Sequence, residues 1–286
     1  MIAGSARAKS AQAKSAQERL RAVRSALFLP ASNPRAIVRA REVGADLVIL
    51  DLEDAVRPED KAAARTAAPA AAAEGFGGAL VAIRVNGISS EHHAADVAAV
   101  AGSAADFVVL PMIEAAAPLA AFAVSVRKPV LAMIETSRAV LASARIAATP
   151  GVVGLIAGTN DLCAQTGIRN EDGRAGLVTA LQSMVLSARA ADIAVFDGVY
   201  NRLDDLRGFE AEARQGVAWG FDGKALIHPD QVAPANRAFS PTSDEVEDAQ
   251  ALIDAAGGGA QRFRGRMIEA LHVGQARRVL ARTRQA

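Results

Sequence analysis

Eight short runs of aliphatic and β-branched residues recur along the chain, at 25–29, 47–50, 80–85, 107–110, 130–134, 152–156, 193–196 and 224–227. Longer stretches rich in Ala, Arg and Glu, with helical character, separate them. Strands that alternate with helices imply parallel pairing through right-handed crossovers. Eight such units in 286 residues are what a closed (β/α)8 barrel of the TIM type needs. The rival, a doubly wound open sheet, usually carries a Gly-rich phosphate turn after its first strand. Here that turn reads Pro30-Ala31-Ser32-Asn33-Pro34.

Helix signals fill the gaps. Ser32 or Asn33 can cap a helix with Pro34 at its first position, and Thr136 or Ser137 can cap the one after the fifth strand. Residues 67–73 read as a solvent-side helix broken at Pro69. From Ser240 the pattern changes: Ser243 precedes an acidic helix start, the glycines at 257–259 break that helix, and a last helix runs from about Met267 to Thr283. The expected organisation is a flexible extension over 1–20, the barrel over 21–239, and a C-terminal helical extension over 240–286.

Barrel enzymes build their sites at the carboxyl ends of the strands. Charged residues cluster there in this sequence: Asp51-Leu52-Glu53-Asp54, Arg84-Val85-Asn86, Glu135, and Gly158-Thr159-Asn160-Asp161. Alternation places Ala82, Arg84 and Asn86 on the barrel-axis side of the third strand, opposite Val81, Ile83 and Val85. Glu135 and Asp161 end neighbouring strands, about 4.8 Å apart, so their carboxylates can converge on one divalent cation. Magnesium takes one or two protein carboxylates and leaves positions for water and substrate oxygens; manganese is the alternative ion. A 2-oxo acid can fill two of those positions, and Arg84 can bind its carboxylate or a developing oxyanion. Glu53, Gly158 and Asn160 are candidates for further substrate contact. Each acid also has a structural reading. Asp161 can cap the following turn, and Asp51, Glu53 and Asp54 can form a salt-bridge network with Arg35, Arg57 or Lys61.

Composition narrows the function classes. Thirty-two basic residues against thirty-one acidic ones leave a net charge of +1. No one-signed face for nucleic acid or a membrane surface is expected from that balance. No apolar run reaches the ~18–20 residues of a membrane span, and residues 1–17 have no apolar core of a secretory signal. The single cysteine, Cys163, cannot form an internal disulfide; it fits a cytoplasmic protein and reads as a packing residue. His228 before Pro229 reads as a hydrogen-bonded loop residue. None of the five lysines falls at a carboxyl strand end, with Lys224 placed at the opening of the eighth strand, which argues against a Schiff-base aldolase.

These residues resemble the citrate lyase β-subunit-like family within the HpcH/HpaI aldolases. The resemblance runs from about Arg24 to Ala281. Its carriers are Arg24-Ser25-Ala26-Leu27-Phe28-Leu29-Pro30, Asp51-Leu52-Glu53-Asp54-Ala55-Val56, Arg84-Val85-Asn86, Ile134-Glu135-Thr136, Gly158-Thr159-Asn160-Asp161-Leu162 and Gly223-Lys224-Ala225-Leu226-Ile227-His228-Pro229. It implies a barrel that assembles as a homotrimer or hexamer and binds magnesium through Glu135 and Asp161, with Arg84 on the oxo-acid part of the substrate. It also implies cleavage or formation of 3-hydroxy acids or their CoA thioesters, of citryl, malyl or citramalyl type. A C-terminal segment is implied to reach a neighbouring subunit, with Glu269 as acid or base. Two positions depart from the family pattern. Met112 stands where lysine is usual, and Glu269 stands where aspartate is usual. Two other readings stay open: a pyruvate-class aldolase of sugar acids, and a barrel that binds a metal and a dicarboxylate without lyase activity.

Overall fold

A computed structural model of the chain describes residues 16–169, 173–257 and 259–283. Eight parallel strands close on themselves: β1 (Ser25–Pro30), β2 (Leu47–Asp51), β3 (Leu80–Arg84), β4 (Phe107–Leu110), β5 (Val130–Ile134), β6 (Val152–Ala157), β7 (Ala194–Asp197) and β8 (Gly223–Leu226). Each bonds to the next, and β8 returns to β1, pairing Lys224 with Ser25. The expected (β/α)8 barrel is therefore the observed fold, and its closed sheet has no open edge. From β2 to β8 every strand residue is buried, which is why the strands read as continuous apolar runs rather than as alternating ones.

Residues from all eight strands meet in one apolar cluster, including Ala26, Ile49, Ala82, Phe107, Leu131 and Phe196. Ala16, Leu20 and Val23 belong to the same cluster, so a helical segment over 16–20 packs where the strands begin. The extension expected over 1–20 thus loses its last five residues to the barrel, because Leu20 is fully buried there. Residues 1–15 lie outside the described residues.

The crossovers carry α1 (Pro34–Ala40), α2 (Lys61–Glu74), α3 (His93–Ala101), α4 (Ala116–Val126), α5 (Ser137–Ala147), α6 (Thr159–Thr166), α7 (Val178–Ala190) and α8 (Leu206–Trp219), with α9 (Val232–Phe239) after the last strand. Asn33 caps α1 by accepting from the N–H groups of Arg35 and Ala36, and Thr136 caps α5 by accepting from Ala139. α2 does not break at Pro69. A proline removes one helical hydrogen bond, and the buried stripe of Ala64, Ala68, Ala71 and Ala72 holds the helix across the gap. Among the described residues no helix is long and apolar enough to cross a membrane.

The chain divides into two compact units, up to Asn236 and from Arg237 onward. The second contains α10 (Ser243–Ala255), an antiparallel hairpin of β9 (Gln261–Phe263) and β10 (Arg266–Ile268), and α11 (Ala270–Thr283). The cap of α10 is Thr242, one residue before Ser243, in a reciprocal capping box with Glu245. The last helix starts at Ala270 instead of Met267 because residues 261–268 pair as a hairpin. Both turn residues, Arg264 and Gly265, have the positive φ that a tight two-residue hairpin turn needs. Arg264 and Arg266 both pair with Asp248 of α10, and α10 packs against α11.

Candidate active site

The register that joins β2 to β3 sets Asp51 beside Arg84 at the carboxyl ends of both strands. Arg84 Nε donates to Asp51 Oδ1 and Nη2 to Oδ2, both at 2.6 Å, a two-point clamp on a fully buried carboxylate. The same carboxylate accepts from the N–H groups of Glu53 and Ala55 at 2.9 Å. Asp51 thus fixes the guanidinium and folds the loop that follows. Lys61 Nζ secures that loop from outside by donating to the carbonyls of Leu52 and Glu53 and to Asn86 Oδ1. The Arg84 plane lies over the Phe28 ring, with Nη1 turned to Glu53 Oε2 at 2.8 Å and Asp54 Oδ2 at 3.6 Å. The contact with Glu53 lacks hydrogen-bond geometry, and Glu53 Oε2 is otherwise buried without a partner.

Glu135 stands one residue past β5, with its side chain enclosed. Its Oε1 accepts from the N–H of Met112, a residue held in the left-handed region at φ 50°. Gly158, one residue past β6, lies directly against it. A Cβ at Gly158 would sit 2.2 Å from Glu135 Cβ and 2.6 Å from Oε2, so only glycine leaves room for the acid. Asp161 follows in the first turn of α6, exposed at the rim.

The electrostatics tie these groups together. Burial pushes the Glu135 carboxyl up to about 7; the Met112 N–H opposes this, the charge of Asp161 adds to it, Arg84 opposes it, and Asp54 adds to it. Burial likewise pushes Glu53 up to about 8, with Arg84 opposing and Asp54, Glu135 and Asp51 adding. Asp51, Glu53, Asp54, Glu135 and Asp161 therefore share one rim with a single guanidinium, and that guanidinium is already clamped by Asp51. The charges of Asp54 and Asp161 disfavour ionisation of Glu135, and a cation beside Glu135 would relieve that repulsion. Among the described residues no three or more His, Cys, Asp or Glu are placed to hold a metal ion. A cation here would have two carboxylates and complete its shell with water or substrate oxygens, the arrangement that suits magnesium.

The residues expected from sequence thus separate into groups. Arg84, Glu53, Glu135, Gly158 and Asp161 come together. Asp51, Glu53 and Asp54 pair with Arg84, whereas Arg57 turns to Glu59 and Asp60. Asn160 shares the start of α6, but its side-chain amide is bonded to Asn201. Glu269 belongs to the second unit, just before α11, where its N–H donates to His272 Nδ1. His228 caps a turn by accepting from the Asp230 N–H. Lys224 is the second residue of β8, as expected, with its backbone beside Ser25, the first residue of β1. The stagger of the strands pairs it with Asp197, at the carboxyl end of β7. It is fully buried, and its Nζ contacts Asp197, Glu212 and the carbonyl of Gly198. That pairing adds to its position in the strand as an argument against a Schiff-base lysine. Sequence reasoning missed the clamp on Arg84 made by Asp51 and the Met112 N–H. The first was legible only as an acid at a strand end, and the second is a backbone group with no side-chain signal. A cavity of about 610 Å³ opens beside α8, lined by Arg174, Tyr200, Arg202, Glu212 and Gln215; none of the rim carboxylates lines it.

Residues 24–229, which include all of this rim, match the HpcH/HpaI aldolase/citrate lyase family. The chain belongs to that family. Within it, the chain is 40% identical over 267 residues to a (3S)-malyl-CoA thioesterase of Cereibacter sphaeroides, covering 91% of this chain and 94% of that protein. It is 31% identical over 283 residues to the citrate lyase subunit beta of Leuconostoc mesenteroides, covering 92% and 93%. A crystal structure of CitE from Mycobacterium tuberculosis in complex with magnesium, acetoacetate and coenzyme A superposes with a TM-score of 0.78 at 32% identity, over 90% of this chain and 97% of that one. The citrate lyase beta subunit of the same organism, complexed with oxaloacetate and magnesium, gives 0.70 at 34% identity over 78% and 100%. The citrate lyase β-like HpcH/HpaI barrel expected from the motifs is the fold and family observed.

Proposed function

We propose that this family member is a magnesium-dependent enzyme that cleaves or forms the carbon–carbon bond of 3-hydroxy acids carried as CoA thioesters, of malyl, citramalyl or citryl type. The observation that carries this reading is the placement of Glu135 against Gly158, with Asp161 three residues further on in the first turn of α6, on the same rim as the clamped Arg84. Glu135 and Asp161 hold the ion. When bound, it supplies Lewis acidity to the carbonyl oxygen of a 2-oxo acid. Arg84 keeps Nη1 free of the Asp51 clamp and turns it to the substrate carboxylate, which takes the place now held by Glu53. Burial raises the Glu53 carboxyl to about 8, which suits it to donate a hydrogen bond to a substrate oxygen. Gly158 keeps the backbone close to Glu135, and the free N–H groups at the start of α6, Asn160 among them, face the anionic end of the substrate. Glu269, carried by the second unit, moves the proton at the acyl carbon from a neighbouring copy in a trimer or hexamer. We place the protein in the cytoplasm.

A second reading has its own support. The malyl-CoA thioesterase of Cereibacter sphaeroides shares more of this sequence than the citrate lyase subunit of Leuconostoc mesenteroides does, at 40% identity against 31%. In that reading the same rim holds malyl-CoA while water attacks the thioester carbonyl. Incubation with malyl-CoA separates the two. Glyoxylate with acetyl-CoA marks carbon–carbon cleavage, and malate with free CoA thiol marks hydrolysis. Turnover that persists in EDTA, or in Glu135→Ala, overturns the metal assignment common to both.

A further inference from the structure

The start of α6 is held from two directions, and only one of them is the close approach of Gly158 to Glu135. On the other side, Gly198 at the end of β7 lies so close to Thr159 that a Cβ there would be 2.5 Å from both Thr159 Oγ1 and Cγ2. Gly198 is itself fixed, since its N–H donates to Asp197 Oδ1 at 2.8 Å and its carbonyl accepts from Lys224 Nζ at 2.6 Å. Asp197 and Lys224 are fully buried and tied to Arg174 and Glu212, so this end of β7 is a rigid anchor. Three residues on, Asn201 exchanges two hydrogen bonds with Asn160: Asn201 Nδ2 donates to Asn160 Oδ1 at 2.7 Å, and Asn160 Nδ2 donates to Asn201 Oδ1 at 3.3 Å. Asn160 is the residue before Asp161.

We propose that Asn201 is a positioning residue for Asp161, and that the Asn201–Asn160 amide pair transmits the rigidity of the Asp197–Lys224 anchor to the first turn of α6. This rests on the metal role assigned to Asp161. An amide pair is suited to the task. It fixes the helix start in both directions, yet adds no charge beside a carboxylate that must accept a cation. Residues that orient a ligand without touching the metal typically change affinity by ~10–100-fold when removed.

The test is magnesium binding by full-length protein, measured by calorimetry with magnesium chloride alone, for wild type, Asn201→Ala, Asn160→Ala and the double variant. Asn201→Ala is expected to weaken magnesium on the order of tenfold. It should raise the half-saturating magnesium for turnover and leave kcat at saturating magnesium close to wild type. Because Asn201 acts through Asn160, the double variant should bind no more weakly than either single one. Melting in EDTA should be unchanged, since both side chains are exposed. Equal magnesium affinity in wild type and Asn201→Ala overturns the proposal, as does a loss of affinity matched by a loss of stability in EDTA. A wild-type protein that takes up no magnesium is a different result, and it overturns the metal reading itself.

Discussion

Replacing Gly158 by alanine tests whether the glycine of the β6 loop is there to admit Glu135. The added Cβ would lie 2.2 Å from Glu135 Cβ and 3.2 Å from its Cα. Ordinary carbon–carbon contact begins near 3.5 Å, so the two backbones must separate by about 1.3 Å or the acid must leave its place. Overpacking of this kind costs about 1–3 kcal/mol of stability. The functional loss should be larger. Displacing a catalytic group by about 1 Å can cost on the order of 100-fold in rate, and Glu135 would also lose its bond from the Met112 N–H. The control is Gly102→Ala, where a Cβ meets nothing within 4 Å and φ is negative. Magnesium titration by calorimetry, thermal melting and thioester turnover would be compared across the three proteins. The expected pattern is modest destabilisation with near-complete loss of magnesium binding and turnover in Gly158→Ala, and wild-type behaviour in the control. A Gly158→Ala protein that binds magnesium and turns over normally would refute the placement of Glu135 at the site.

Other outcomes follow from the same rim. The folded-state carboxyls of Glu135 and Glu53 are raised from 4.5 to about 7 and about 8. The metal-free protein therefore holds more protons folded than unfolded across that interval. It should lose stability as pH rises from about 4.5 to about 8, with full stability below the interval; melting in EDTA across that range checks the sign. Magnesium competes with the same proton on Glu135, so affinity measured by calorimetry should strengthen as pH rises through about 7. Asp51→Ala leaves the Arg84 charge buried with its main partner gone. Denaturant unfolding should show a loss of about 3–5 kcal/mol, along with loss of substrate binding. Glu269→Gln should abolish proton transfer while leaving magnesium affinity, read by calorimetry, unchanged.

Much of the barrel was legible because its strands are buried on both faces. That burial leaves uninterrupted apolar runs such as Val130–Ile134, whose bounds read directly from the sequence. Of the two acids proposed as ligands, Glu135 follows β5 at once, as its interruption of the apolar pattern suggests, whereas Asp161 lies four residues past β6 in the first turn of α6 rather than at the strand end. What was not legible depends on contacts between distant residues. The role of Asp51 needs the β2–β3 register, and the fate of Lys224 needs the stagger between β7 and β8. Gln261–Phe263 and Arg266–Ile268 are three-residue strands carrying charge, too short for a period of two to be read. Pro69 looked like a helix break because the signal of a proline is local, whereas the alanine stripe that offsets it is tertiary.

The seam between β1 and β8 has a consequence for biosynthesis. Ser25 waits for Lys224, roughly 200 residues later, before its second neighbour exists. Until the last strand leaves the ribosome, the nascent sheet has two bare margins, and both are ready templates for pairing with another chain. Fragments ending before β8 should therefore aggregate instead of folding in part, and yield on expression should respond to chaperone supply more than to changes in the outer helices.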